Sequence, residues 1–140
     1  MIIQKGDKAP NFCLYNTEKE QVTLEELRGE KVLLLFFPFA WSETCTEELD
    51  NVRNEIDKYE DIDTRIMAIS VDSPYSLNKF KEERDFPFSL LSDFNKEVSR
   101  AYGTLYEDYA MDLRGVSKRS AFVIDHKGTV QYAEVLDKSD

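Results

Sequence analysis

An apolar run, Val32-Leu33-Leu34-Leu35-Phe36-Phe37, breaks at Pro38, and Cys45 then opens a stretch with helical spacing. The run, taken from Lys31 to Phe37, has the length and side chains of a strand buried on both faces. Beyond the break, apolar positions recur at Cys45, Leu49, Val52, Ile56 and Tyr59, which lie on one face of a helix. Thr44 and Glu47 have capping-box spacing, which predicts a helix over about 44–60 with Cys45 in its first turn. A thiol there faces unpaired backbone N–H groups and the positive end of the helix dipole, and both favour ionised sulfur. The alternative for such a residue is an inert cysteine packed under a helix.

The remaining chain alternates between the two periods. Residues around Phe12-Cys13-Leu14-Tyr15 read as a short strand, with Cys13 opposite Phe12 and Leu14, and Asn16 to Gln21 reads as a turn. Thr23 with Glu26 caps a short helix, Leu24–Arg28, ended by Gly29. Arg65 to Val71 is a second buried strand, so strand, helix and strand form a right-handed parallel unit. Ser73-Pro74 opens a helix that buries Leu77 and Phe80. A short extended piece spans Phe86 to Leu91, and Asp93 caps a helix from Phe94 to Tyr102. Residues 104–117 are irregular and hold Tyr106, Tyr109 and Met111. Lys118–Asp125 and Thr129–Val135 form a hairpin about His126-Lys127-Gly128, whose His faces solvent. This order predicts an α/β protein with a thioredoxin-like three-layer fold, a central mixed β-sheet flanked by helices, in one domain over 1–140.

Charge and cysteine usage narrow the function. A formal net charge of −10 repels nucleic acid and anionic lipid, so neither is an expected partner. No apolar stretch reaches the ~20 residues of a membrane span, and the first residues do not resemble a signal peptide, so the expected compartment is the cytoplasm. Two cysteines, at 13 and 45, and one His predict neither a disulfide framework nor a metal site, and no cofactor is expected.

Ligands of open α/β sheets sit at the carboxyl ends of the parallel strands. If strand 119–125 runs antiparallel to strand 31–37, Arg119 starts at the edge where Cys45 emerges. Such a cation is needed, because Glu43, Glu47, Glu48 and Asp50 surround Cys45 and like charge disfavours ionised sulfur. Arg stays charged and offers a forked donor. Ser42 adds a hydroxyl, and Pro38, lacking an N–H, can shape a small dry pocket. The chemistry also needs the sulfur open to solvent.

Pro38, Ser42 and Cys45 resemble the peroxiredoxin motif Pro-x-x-x-Thr/Ser-x-x-Cys, and Glu48 stands where that family tends to carry an acid. Arg119-Ser-Ala-Phe-Val-Ile-Asp125 is similar to its arginine-bearing strand. Further similarities are Gly6 to Phe12, Val71-Asp72-Ser73, Phe88 to Asp93 and Ala101-Tyr102-Gly103. The resemblance, to the one-cysteine type, implies that Cys45 attacks a peroxide O–O bond and becomes sulfenic acid. It also implies that Ser42 and Arg119 stabilise the developing oxygen charge, with Glu48 and Trp41 in support. Asp50 stands where some relatives place a resolving cysteine, and no cysteine follows residue 45. That leaves Cys13, read as a half-buried strand cysteine, and whether it resolves Cys45 within or between chains stays open; the resemblance implies recycling by an external thiol, thioredoxin-like, glutaredoxin-like or small, and a homodimer. Relatives also continue into a terminal helix; if the chain ends a few polar residues after Val135, part of one sheet face is expected to be bare. Two other readings of the same fold stay open: a monothiol disulfide-exchange enzyme, which the lack of Cys-x-x-Cys disfavours, and a redox sensor that oxidises without turnover.

Overall fold

The computed structural model describes residues 3–109, 111 and 113–136. Strands β1 (Cys13–Asn16) and β2 (Gln21–Thr23) form a hairpin, followed by one 3-10 turn, Glu25–Leu27. Strand β3 (Lys31–Phe36) leads into helices α1 (Glu43–Asn54) and α2 (Ile56–Asp61), then β4 (Thr64–Ser70), α3 (Pro74–Arg84) and β5 (Ser89–Ser92). Helix α4 (Glu97–Ala101) precedes the short ladder β6 (Leu105–Tyr106) with β7 (Val116–Ser117), and β8 (Ser120–Ile124) pairs with β9 (Val130–Val135). The main sheet runs β2-β1-β5-β4-β3-β8-β9. Its centre, β5-β4-β3, is parallel, and β8 lies antiparallel against β3, as the predicted fold requires.

Strand β3 alternates between two cores. Leu33, Leu35 and Phe37 face α1 and α3, meeting Leu49, Leu77 and Phe80. Val32, Leu34 and Phe36 face the other way, onto Phe12, Leu24, Val98 and Tyr102 from the N-terminal segment and α4. Burial on both faces explains why β3 carries no polar alternation. The layer around α1 thins toward the sheet edge. In the row Leu33, Val123, Tyr132, set by strand register, burial falls from buried through half-buried to 48% exposed. The polar end of the chain, 137–140, lies outside the described residues.

Several local expectations change. The expected turn Asn16–Gln21 gives way at Gln21 to a strand that runs to Thr23, because Leu14 pairs with Val22 and places both on the core side. The short helix after Thr23 tightens to one 3-10 turn, although the Thr23 hydroxyl does accept the Glu26 N–H at 3.3 Å. The expected helix 44–60 breaks at Glu55, whose φ is −110° and ψ 19°. Apolar spacing could not reveal this break, since Ile56 and Tyr59 stay on the same core beyond it. The helix after Asp93 starts only at Glu97; Asp93 caps it from outside by accepting the Val98 and Ser99 N–H groups at 3.1 and 2.6 Å. Within the segment expected to be irregular, β6 and β7 form a short ladder, and residues 110 and 112 lie outside the described residues. Cys13 lies opposite Phe12 and Leu14 as expected and is exposed rather than half-buried, on the outer side of β1.

Candidate active site

The sheet brings three chain segments to one edge. Phe36, the last residue of β3, pairs with Ile69 near the end of β4 and with Ser120 at the start of β8. The Pro38–Ser42 segment, the first turn of α1 and Arg119 therefore meet. Helix α1 starts two residues earlier than Thr44 would set it. Ser42 is extended, at φ −65° and ψ 147°, and its hydroxyl accepts the Cys45 N–H at 3.2 Å, as an N-cap must. Cys45 thus sits at the third helical position, with its own N–H satisfied. The Ser42 hydroxyl keeps its proton free to donate.

Arg119 stands beside the sulfur, although 74 residues separate the two in sequence. Its Nη2 donates to Cys45 Sγ at 3.4 Å, and its Nη1 donates to Glu48 Oε1 at 2.7 Å. One planar fork serves both groups, which a lysine could not do. Burial works against the Arg119 charge, but the Cys45 sulfur and the Glu48 carboxylate outweigh it and raise its pKa above the ordinary arginine value. Burial also raises the Glu48 pKa, and the hydrogen bond from Arg119 opposes that rise. The acidic surroundings are weaker than the sequence suggests. Asp50 is paired with Arg84 and with Arg53, both from within or across the helix layer, and Glu43 and Glu47 point to solvent. Arg53 stands at i+3 from Asp50 on the same helix, a spacing that favours such a pair, whereas nothing in the spacing signalled Arg84.

The sulfur itself is closed, contrary to the open thiol expected. Cys45 has 0% exposure, packed in the core with Phe37, Ala40 and Leu49. Side-chain exposure rises from there through Arg119, at 11%, to Glu48, at 28%, so this ion pair is the polar link between sulfur and solvent. The closure follows from placing Cys45 on the same apolar face as Leu49. The requirement for an open sulfur is not met in this closed arrangement: at 3.4 Å no oxygen fits between Nη2 and Sγ, so a peroxide reaches the sulfur only where the surrounding chain opens and a substrate oxygen takes over the guanidinium's hydrogen bond.

The other candidates frame this centre. Pro38 is buried at the turn out of β3. Phe39 packs edge-on to Tyr109 at 5.6 Å, and Tyr109 packs on Tyr106 at 5.2 Å, a continuous aromatic cluster. Trp41 is 48% exposed, rests on Phe80 at 5.1 Å, and holds φ +74°, a conformation that costs a non-glycine residue about 1–2 kcal/mol. Among the described residues no group of three or more His, Cys, Asp or Glu could hold a metal, and no helix is long and apolar enough to cross a membrane.

Glu48 gives the site a pH signature. Because its folded pKa is raised, the native state holds a proton that the unfolded chain has already lost. Its contribution to stability is full below the ordinary glutamate value of 4.5 and is lost as pH rises through the folded value. Subtracting the urea-unfolding free energy of Glu48→Gln from that of wild type, pH by pH, should leave a difference that falls with rising pH just above 4.5. A difference that rises there would show Glu48 to be held ionised instead.

The AhpC/TSA family profile matches residues 5–133. The chain belongs to the AhpC/TSA family. It is 37% identical over 137 residues to alkyl hydroperoxide reductase E of Mycobacterium bovis, covering 96% of this chain and 86% of that protein. It is 32% identical over 132 residues to peroxiredoxin Bcp of Escherichia coli, covering 93% and 84%. Among solved structures, peroxidoxin BcpB of Mycobacterium tuberculosis superposes with a TM-score of 0.88 at 27% identity, over 98% of this chain and 88% of that one. These AhpC/TSA relatives bear out the resemblance carried by Pro38, Ser42 and Cys45, and with it the thioredoxin-like mixed sheet.

Proposed function

We propose that this AhpC/TSA protein is a thiol-dependent peroxidase acting on hydrogen peroxide and organic hydroperoxides, with Cys45 as its reacting residue. The observation that carries the reading is the Arg119 fork, which joins Cys45 Sγ at 3.4 Å to Glu48 at the solvent side. The ionised sulfur attacks one peroxide oxygen. An S–O bond forms, the O–O bond breaks, and the departing oxygen takes a proton to leave as water or an alcohol. Arg119 and the free proton of Ser42 are placed to meet charge on that oxygen, while Pro38 closes the turn and Trp41 walls the segment. Cys45 is left as sulfenic acid.

Reduction by an external thiol fits the topology. Strands β5 and β4 lie between β1 and β3, so Cys13 and the β3 edge are about three strand spacings, or ~14 Å, apart. A disulfide needs Cα atoms within about 7 Å. One thiol therefore expels water from the sulfenic acid to form a mixed disulfide, and a second thiol releases Cys45. The reductant is a small thiol or a thioredoxin- or glutaredoxin-like protein. A homodimer and a cytoplasmic setting are parts of the same reading.

The test is steady-state peroxide consumption with an excess of thiol. Many turnovers per enzyme, with hydrogen peroxide and with an organic hydroperoxide, are the expected result. One oxidation per chain with no turnover in any thiol system would favour a redox sensor.

A further inference from the structure

We propose that Asp72 is a positioning residue for this site: its carboxylate holds the Pro38–Ser42 segment and, through it, the start of α1. The inference rests on Cys45 being the peroxide-reducing residue. Asp72 lies just past the end of β4. Its Oδ2 accepts the Ala40 N–H at 2.7 Å, across 32 residues of chain, and accepts the Ser70 hydroxyl at 2.7 Å. Asp72 is itself anchored: its N–H donates to Ser70 Oγ at 3.2 Å, and its carbonyl accepts the Ser92 hydroxyl at 2.6 Å. The carboxylate is thus tied to β4 and β5, and it offers a fixed acceptor to a loop outside the sheet.

That loop needs an external anchor. Ala40 is buried, so its N–H would cost free energy if left unpaired. The next residue, Trp41, holds the positive φ, and the one after that is Ser42, the cap of α1. Trp41 has no intrinsic reason to stay in this conformation. The Ala40 hydrogen bond on one side and the Phe80 ring on the other hold it there. Release of Ala40 lets Trp41 relax, moves the Ser42 cap and shifts Cys45 relative to Arg119. Among the described residues, Asp72 bonds to Ala40, Ser70 and Ser92 and neither to the sulfur nor to Arg119, so it acts through these residues.

Position, rather than charge, is what Asp72 supplies. One oxygen makes both side-chain contacts, and the oxygen of an asparagine can make the same two. Burial pushes the Asp72 pKa up, against its hydrogen bonds with Ala40 and Ser70, so the ionised form is tolerated there rather than favoured.

Trp41 is the protein's one tryptophan, so its fluorescence reports on the loop directly. In Asp72→Ala, its emission should shift to the red and be quenched more by acrylamide. The single-turnover rate constant for oxidation by hydrogen peroxide should fall on the order of 10-fold to 100-fold. Asp72→Asn should keep wild-type emission and a rate within about threefold. A purely structural role would lower the reacting amplitude, as chains unfold, and leave the rate constant unchanged; that outcome overturns the proposal. So does wild-type emission and rate in Asp72→Ala, or an Asp72→Asn variant slowed on the order of 10-fold or more with wild-type emission, which would make the charge essential. If Asp72→Ala does not fold, Asp72→Ser, whose shorter side chain does not span to the Ala40 N–H, takes its place with the same two readouts and the same expected and overturning results. Wild-type protein that reduces no peroxide would remove the functional reading instead, and the Trp41 shift would still test the anchor.

Discussion

Cys45→Ser removes peroxide reduction, by a factor expected to be on the order of 10⁴ or more in the rate of peroxide consumption. The size follows from the chemistry of the attacking atom. A serine hydroxyl at neutral pH is neither ionised nor polarisable enough to break an O–O bond, and nothing else within the Arg119 fork is nucleophilic. The substitution is nearly isosteric, so the core around Phe37, Ala40 and Leu49 keeps its packing. The second thiol supplies the control. Cys13→Ser changes an exposed side chain on the far side of two intervening strands and leaves the rate unaltered. Stopped-flow traces with a stoichiometric amount of peroxide measure both. A Cys45→Ser protein that still consumes peroxide at the wild-type rate, with Cys13→Ser inactive, would move the reaction to the wrong sulfur for this account.

Arg119→Ala slows the oxidation step by about 10²–10³-fold, the loss expected when one preorganised donor to a developing charge is removed, roughly 3–4 kcal/mol. Two effects act together. The Nη2 donor at 3.4 Å from the sulfur disappears, and Glu48 loses its cation while remaining close to Cys45. A carboxylate left without its partner then disfavours negative charge on the sulfur. Glu48→Gln in the Arg119→Ala background should therefore recover part of the loss. Arg119→Lys should recover part as well, through charge alone, since an ammonium group cannot span Cys45 and Glu48 as a fork does. Equal rates for Arg119→Ala and wild type would show that the helix start by itself suffices.

The legible and illegible parts of this site divide along physical lines. The strand-to-helix passage at Pro38 was readable because period and composition change within a few residues. Arg119 was readable through its resemblance to an arginine-bearing strand and through a conditional topology: once β8 lies antiparallel beside β3, the residue just before its start stands at the edge where β3 ends. The choice of Ser42 over Thr44 as cap was not readable, because both satisfy local rules and the decision lies in how the preceding loop is held. That hold comes from Asp72, whose partner Ala40 is 32 residues away. The neutralisation of Asp50 by Arg84 is likewise a long-range contact, across 34 residues, between two helices whose spacing in sequence carries no trace of it. Closure of the sulfur was misjudged for a related reason. The helical face that ends in Leu49 begins with Cys45, and a residue on that face is drawn into the core along with its neighbours. The functional site is thus reached through an ion pair whose outer member, Glu48, is the more exposed.

Accessibility and activation make opposite forecasts for the two cysteines. Cys13 is exposed, and Cys45 is buried against Arg119. One equivalent of hydrogen peroxide, followed by rapid quenching and peptide mass spectrometry, therefore tests the central claim most directly. The account predicts a single oxygen on Cys45, trapped as sulfenic acid, with Cys13 unmodified. Oxygen found on the exposed Cys13, with the Cys45 thiol intact, would contradict it.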